Sequence, residues 1–121
     1  MRVFIGIACM LPVFALGQSG LLNLRLDTTV IRIGEQITLH VEIAQPPGTL
    51  VEWPIIADTL NAHVEVVHDS GVDTTSIDQE LIRQVRTLRI TSFDSGLWAV
   101  PPFLFSVNGR PLESKPILLE V

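Results

Sequence analysis

Cysteine is almost absent: the one thiol among 121 residues is Cys9, close to the start. An intrachain disulfide framework is therefore excluded, and so is a cysteine-rich metal site. Basic side chains are also scarce, 8 Lys and Arg against 13 Asp and Glu, and they do not cluster. Arg83, Arg86 and Arg89 form the densest group, but on a strand they fall at mixed parity and cannot share one face. Nucleic acid and anionic membrane surfaces both demand a Lys/Arg cluster, so neither is expected as a partner. Past Leu16 no apolar run approaches the ~20 residues of a membrane-spanning helix. Internal repeats and low-complexity linkers are missing as well, which leaves one domain to account for.

The amino end carries the clearest signal. Met1-Arg2 precedes the uncharged run Val3 to Leu16, and Ala15-Leu16-Gly17 places small residues where a signal peptidase requires them. Residues 1–17 are read as a secretory signal, with cleavage before Gln18. The run is too short for a membrane anchor, and Pro12 interrupts it. Cys9 does not make a lipobox, since Gly6 stands where leucine belongs. Taking 17 residues from 121 leaves 104, and losing Arg2 leaves 7 basic against 13 acidic residues, a formal charge of −6. The domain at 18–121 then has no thiol and must hold together by packing.

Alternation by twos runs through that domain. Ile37, Leu39, Val41 and Ile43 alternate with Thr38, His40, Glu42 and Ala44, the pattern of a strand with one buried face. Leu21 to Leu26, Val30 to Ile33, Leu50 to Trp53, Ala62 to His68, Leu97 to Val100, Phe103 to Val107 and Lys115 to Val121 read likewise as short strands. Glu80 to Ser92 is long enough for a helix, but Thr87-Leu88-Arg89-Ile90-Thr91 favours a strand. Asp69 to Gln79 is polar and reads as a connection. Two turns stand out. Asp94-Ser95-Gly96, within Thr91-Ser92-Phe93-Asp94-Ser95-Gly96, is expected to reverse the chain so that Leu97 to Val100 pairs with the preceding strand. Its Asp94 carboxylate is expected to accept hydrogen bonds inside the turn. Asn108-Gly109 is a type I′ hairpin signal. Seven to nine short strands with no required helix predict an all-β, antiparallel, immunoglobulin-like β-sandwich, with an open barrel as the alternative.

Candidate chemistry is thin against this background. His40, His63 and His68 do not converge as a zinc site requires, since His63 and His68 fall on opposite faces of a strand. Asp69, Asp73 and Asp78 share a polar segment but lack the one-three-five spacing of a calcium loop. Ser92 and Ser95 beside Asp94 lack the G-x-S-x-G context of a nucleophile, and a hydrolase would need a histidine within reach of one of them. No metal, cofactor or catalytic residue is expected. Asn108-Gly109-Arg110 is explained as a turn, and Trp53 and Trp98 pack in or at the rim of the core; if exposed, they would offer a stacking platform for a sugar.

Leu26-Asp27-Thr28-Thr29 with Ile33-Gly34-Glu35-Gln36-Ile37, then Val51-Glu52-Trp53-Pro54 and Asp58-Thr59-Leu60, then T-S-F-D-S-G with Pro101-Pro102-Phe103, and Ser114-Lys115-Pro116-Ile117 closing on Leu119-Glu120-Val121, resemble the amino-terminal extracytoplasmic domain of BatD-like, oxygen-tolerance (Bat aerotolerance) proteins. The likeness spans nearly all of residues 18–121. It implies a periplasmic β-sandwich, or one on the periplasmic face of the cytoplasmic membrane, with other Bat proteins as partners and no catalytic residues. Family members continue into a membrane-spanning helix, so the chain is expected to be an amino-terminal fragment whose membrane association lies in sequence beyond Val121. The expected function is a non-enzymatic interaction or scaffolding module in the cell envelope. A carbohydrate- or surface-binding sandwich using Trp53 or Trp98 is the alternative.

Overall fold

The computed structural model describes residues 21–121, and the side chain of Leu21 is outside the description. The expected signal segment, 1–17, lies outside the described residues. Eleven strands and no helix make up the rest: β1 (Leu21–Leu26), β2 (Ile37–Gln45), β3 (Val51–Glu52), β4 (Thr59–Asn61), β5 (Val64–Asp69), β6 (Asp73–Ser76), β7 (Ile82–Thr91), β8 (Leu97–Val100), β9 (Leu104–Val107), β10 (Arg110–Glu113) and β11 (Ile117–Glu120). Every strand pair is antiparallel.

One layer has the order β1-β2-β7-β5-β4, with β6 also on β7. Its spine is the nine-residue ladder from Ile37 opposite Ile90 to Gln45 opposite Ile82. Ile37, Leu39, Val41 and Ile43 on β2, with Leu88 and Ile90 on β7, point the same way and are buried. The facing layer consists of β10-β9-β3 and β11-β8. It contributes Val100, Phe103, Phe105 and Leu119, which close one core with the first layer. The molecule is therefore an all-β antiparallel sandwich, each fully buried aliphatic or aromatic side chain contributing about 1.5–3 kcal/mol.

Three of the strand breaks are interruptions of otherwise continuous ladders. β8 and β9 form one arm of a long hairpin and β10 and β11 the other, and the register holds without slip from Leu97 opposite Glu120 to Val107 opposite Arg110. Pro101, Pro102 and Pro116 deny the ladder its N–H donors between the halves. Across the gap Ser114 N donates to Phe103 O at 3.0 Å and Phe103 N donates to Ser114 Oγ at 2.7 Å. Likewise β5 and β6 follow one another along the same edge of β7, joined where Ser70 N donates to Thr87 O. Joining the halves reduces the eleven segments to eight strands, within the expected seven to nine.

Three sequence expectations change. The segment from Asp69 to Gln79 is not only a connection, because Asp73–Ser76 forms a fully exposed strand on β7. Val30 to Ile33 supplies a single parallel bridge, Val30 to Glu120, in place of a strand. Leu97–Val100 is not the hairpin partner of β7. Both edges of β7 are already occupied, one by β2 and the other by β5 and β6, so the chain leaving Thr91 crosses to the other layer and pairs with β11.

Candidate functional site

The crossing segment after Thr91 is built around a buried serine. Ser92 Oγ accepts from Asp94 N and donates to Asp94 O, both at 3.2 Å, and Thr91 Oγ1 donates to Glu35 O at 2.8 Å. Gly96 then takes φ +155°, and its main chain exchanges two bonds with Val121. The Asp94 carboxylate does not cap this corner, contrary to expectation. Its Oδ2 lies 2.9 Å from His63 Nδ1, whose ring donates to it from the turn between β4 and β5. Ser92 does the capping because a hydroxyl at the first residue of the loop reaches both main-chain groups of Asp94.

Trp98 completes the cluster. Its Nε1 donates to Asp94 O at 2.9 Å, and the His63 imidazole stacks on its indole with centroids 3.7 Å apart and planes 10° apart. Asn61 fixes the His63 turn by accepting from the main-chain N–H of His63 and Val64, and its own amide donates to Ala99 O. The histidine therefore meets the aspartate and not a serine: Ser92 is fully buried and committed to main chain. A nucleophile poised for transfer is not what these contacts form; they staple the corner to the β4–β5 turn.

Trp53 lies at the other end of the interior. Its Nε1 donates to Gln84 Oε1 at 3.0 Å, its ring meets Phe105 edge-on at 4.8 Å, and the Arg86 guanidinium sits over it at 5.8 Å. Arg86 is held by a two-pronged bond to Asp69, Nε to Oδ1 at 2.8 Å and Nη2 to Oδ2 at 2.5 Å. That bond chiefly, with the amide of Gly71, holds the Asp69 carboxyl below its ordinary value against the upward pull of burial, and raises the Arg86 guanidinium. Asp69 is thus bound to a guanidinium, while Asp78 accepts from Glu80 N and Leu81 N and Asp73 belongs to β6. His40 is 2.9 Å from Asp27. No group of three His, Cys, Asp or Glu among the described residues is placed to hold a metal ion. Both tryptophans pack against the core rim, each with a charged or aromatic side chain over its indole.

Asn108 and Gly109 take φ +51° and +80° and join β9 to β10, as a type I′ turn requires. Asn108 does more than turn the chain. It donates from its N to Leu50 O and accepts from Leu50 N through Oδ1, which docks β3 onto the hairpin.

A further concavity lies elsewhere, at the open side of the sandwich. A groove of about 370 Å³ runs between β1 and the β10–β11 arm, lined by Leu22, Leu24, Leu112 and Ile117 with Asn23, Glu113, Ser114 and Lys115. Among the described residues β1 is an edge strand, paired with β2 alone. Asp27 N donates to Thr38 O, which continues the β1–β2 register and assigns the odd-numbered residues to the bonds with β2. The N–H and C=O of Leu22 and Leu24 therefore point away from β2, on the groove side, and have no main-chain partner among the described residues.

Sequence reasoning missed this site. The leucine alternation at 22, 24 and 26 marks a strand but not an edge, and Leu112 and Ile117 are separated by Pro116, which hides that they belong to one arm. Comparison with family models, curated proteins and solved structures finds no match to this chain.

Proposed function

We propose that this chain is a non-enzymatic, exported interaction module of the cell envelope, with an immunoglobulin-like sandwich and a BatD-like role among membrane-associated partners. The order β1-β2-β7-β5 corresponds to strands A-B-E-D of that fold, and β10-β9-β3 to G-F-C. The observation that carries the functional reading is the outer edge of β1, where the main-chain groups of Leu22 and Leu24 have no partner among the described residues. Edge strands are usually protected by proline, a bulge or inward charge, and Leu21–Leu26 has none of these, Arg25 alone supplying a cation on its outer face. A partner strand added to β1 would satisfy the main-chain groups of Leu22 and Leu24 and lay alternate side chains into the groove between Leu24 and Ile117. Sugar stacking has less support, because His63 and Arg86 lie over the two indoles.

A photo-crosslinking residue placed at Asn23 in living cells tests the reading. One discrete protein adduct is expected from Asn23 and none from Ile55, which is 98% exposed and remote from the β1 ladder. Absence of an adduct at Asn23, or the same adducts from both positions, would refute it.

A further inference from the structure

The aspartates of this chain stand in a repeated context. Asp27, Asp58, Asp69, Asp73 and Asp94 are each followed by Thr or Ser, and Asp78 alone is not. Two of these pairs continue into glycine, and the fold accounts for both. Asp69-Ser70-Gly71 turns the chain between β5 and β6 with its carboxylate on Arg86, and the Asp94 of Asp94-Ser95-Gly96 meets His63. The other three are Asp27-Thr28-Thr29, Asp58-Thr59-Leu60 and Asp73-Thr74-Thr75, an Asp-Thr pair followed each time by Thr or Leu. They share no structural role: the first follows β1, Thr59 opens β4 opposite Glu65, and Asp73 opens β6 opposite Val85. What they share is that every Asp and Thr in them is exposed. In the first triad the polar groups are already bonded, Asp27 to Arg25 and His40, and Thr28 Oγ1 to both main-chain groups of Val30. In the other two they are not. Among the described residues the Asp58 and Asp73 carboxylates enter no ion pair, the Thr59 hydroxyl has no partner, and Thr74 Oγ1 only accepts, from Gln84 Nε2 at 3.5 Å. Both triads lie on or lead into short strands with a single ladder partner, β4 on β5 and β6 on β7.

We infer that Thr59 and Thr74 are acceptors of an O-linked glycan, added outside the cytoplasm by a transferase that reads Asp-Thr followed by Thr or Leu. One short triad recurring at exposed, structurally unrelated places is what an enzyme reading local sequence requires. A short edge strand offers that enzyme an extended backbone, and the carboxylate one residue before the hydroxyl offers a handle to a cation in its cleft. The same carboxylate sets the threonines against phosphorylation, whose product would stand beside a like charge. The reaction is a substitution at the anomeric carbon of a sugar carried on a polyprenyl diphosphate. Thr Oγ1 forms the new C–O bond, the bond from that carbon to the diphosphate breaks with its electron pair leaving on the diphosphate, and a base of the transferase takes the hydroxyl proton. The inference rests on the export proposed above and is independent of strand addition at β1.

Intact-mass spectrometry tests this on the full chain produced in the organism that encodes it, beside a form without residues 2–17. The full chain is expected to carry two equal mass increments, one lost in Thr59→Val, the other in Thr74→Val and both in the double variant, while the form without residues 2–17 carries none. Asp58→Ala and Asp73→Ala keep the hydroxyls and should each remove the increment from the threonine that follows. Base-catalysed elimination should release the added group as a reducing sugar. The substituted residues are all exposed, so the variants keep the fold, which circular dichroism verifies. The same spectrum shows whether residues 1–17 are removed, which separates two kinds of failure. An uncleaved chain would overturn the export and this inference with it. A cleaved chain with no increments, with increments at other residues, with increments that survive Asp58→Ala and Asp73→Ala, or with a released group that is not a sugar would overturn this inference alone.

Discussion

Replacing Gly96 with alanine is expected to destabilise the protein by about 2–5 kcal/mol. Two costs combine. The φ of +155° at this position is one that side-chain-bearing residues rarely adopt, which costs about 1–2 kcal/mol. An added Cβ would also stand 2.6 Å from Trp98 Cζ2, 2.9 Å from Cη2 and 3.0 Å from Cε2. Moving the indole away would break its Nε1 bond to Asp94 O and its stack on His63. Forcing it aside adds an overpacking cost of about 1–3 kcal/mol. Urea unfolding followed by circular dichroism gives the total, and a fall of roughly 10–20 °C in Tm accompanies it. Repeating the substitution in a Trp98→Ala background separates the contributions, since the clash is then gone and only the backbone cost of about 1–2 kcal/mol remains. Equal losses in the two backgrounds, or a loss below about 0.5 kcal/mol in the parent, would refute the steric reasoning.

Ser92→Ala removes the hydroxyl that both accepts from and donates to Asp94 main chain, and should cost about 1–2 kcal/mol in chemical denaturation. Asp94→Ala removes a mostly exposed pairing with His63, and its loss in the same assay should be the smaller, about 0.5 kcal/mol. Asp69→Asn should cost about 2 kcal/mol at neutral pH by weakening the hold on Arg86. The Asp69 carboxyl is depressed in the fold from an ordinary 3.8, so its contribution is complete above that pH and is lost as pH falls through the lower folded value. Parent and Asp69→Asn stabilities measured from neutral to acid pH should therefore run parallel above 3.8 and converge below it.

Local periodicity made most of the strands legible. Ile37 to Ile43 and Leu88 to Ile90 alternate because each strand buries one face, and that pattern survives without knowledge of neighbours. Asn108-Gly109 was readable because its backbone conformation is a property of those two residues. Pairing was less so. The polar corner after Thr91 looks like a hairpin until the occupancy of both edges of β7 is known, and that occupancy depends on residues as distant as Asp73–Ser76. The exposed Thr-rich strand itself was hidden because it has no apolar face to alternate. The His63–Asp94 pair joins residues 31 apart, and the groove joins Leu22 to Ile117. Neither juxtaposition has any local signature, so the candidate site came from the fold and not from a motif.

The most direct measurement of the strand-acceptor role compares Leu24→Pro with Leu24→Ala in the Asn23 crosslinking experiment. The Leu24 N–H points away from β2, so proline removes a donor from the outer edge while leaving the bonds between β1 and β2 in place, and alanine reports the loss of the side chain alone. Amide exchange at Asn23 and Arg25 verifies that β1 stays paired. The adduct is expected to persist in Leu24→Ala and to disappear in Leu24→Pro; an adduct of undiminished yield in Leu24→Pro, with β1 still paired to β2, would contradict strand addition at this edge.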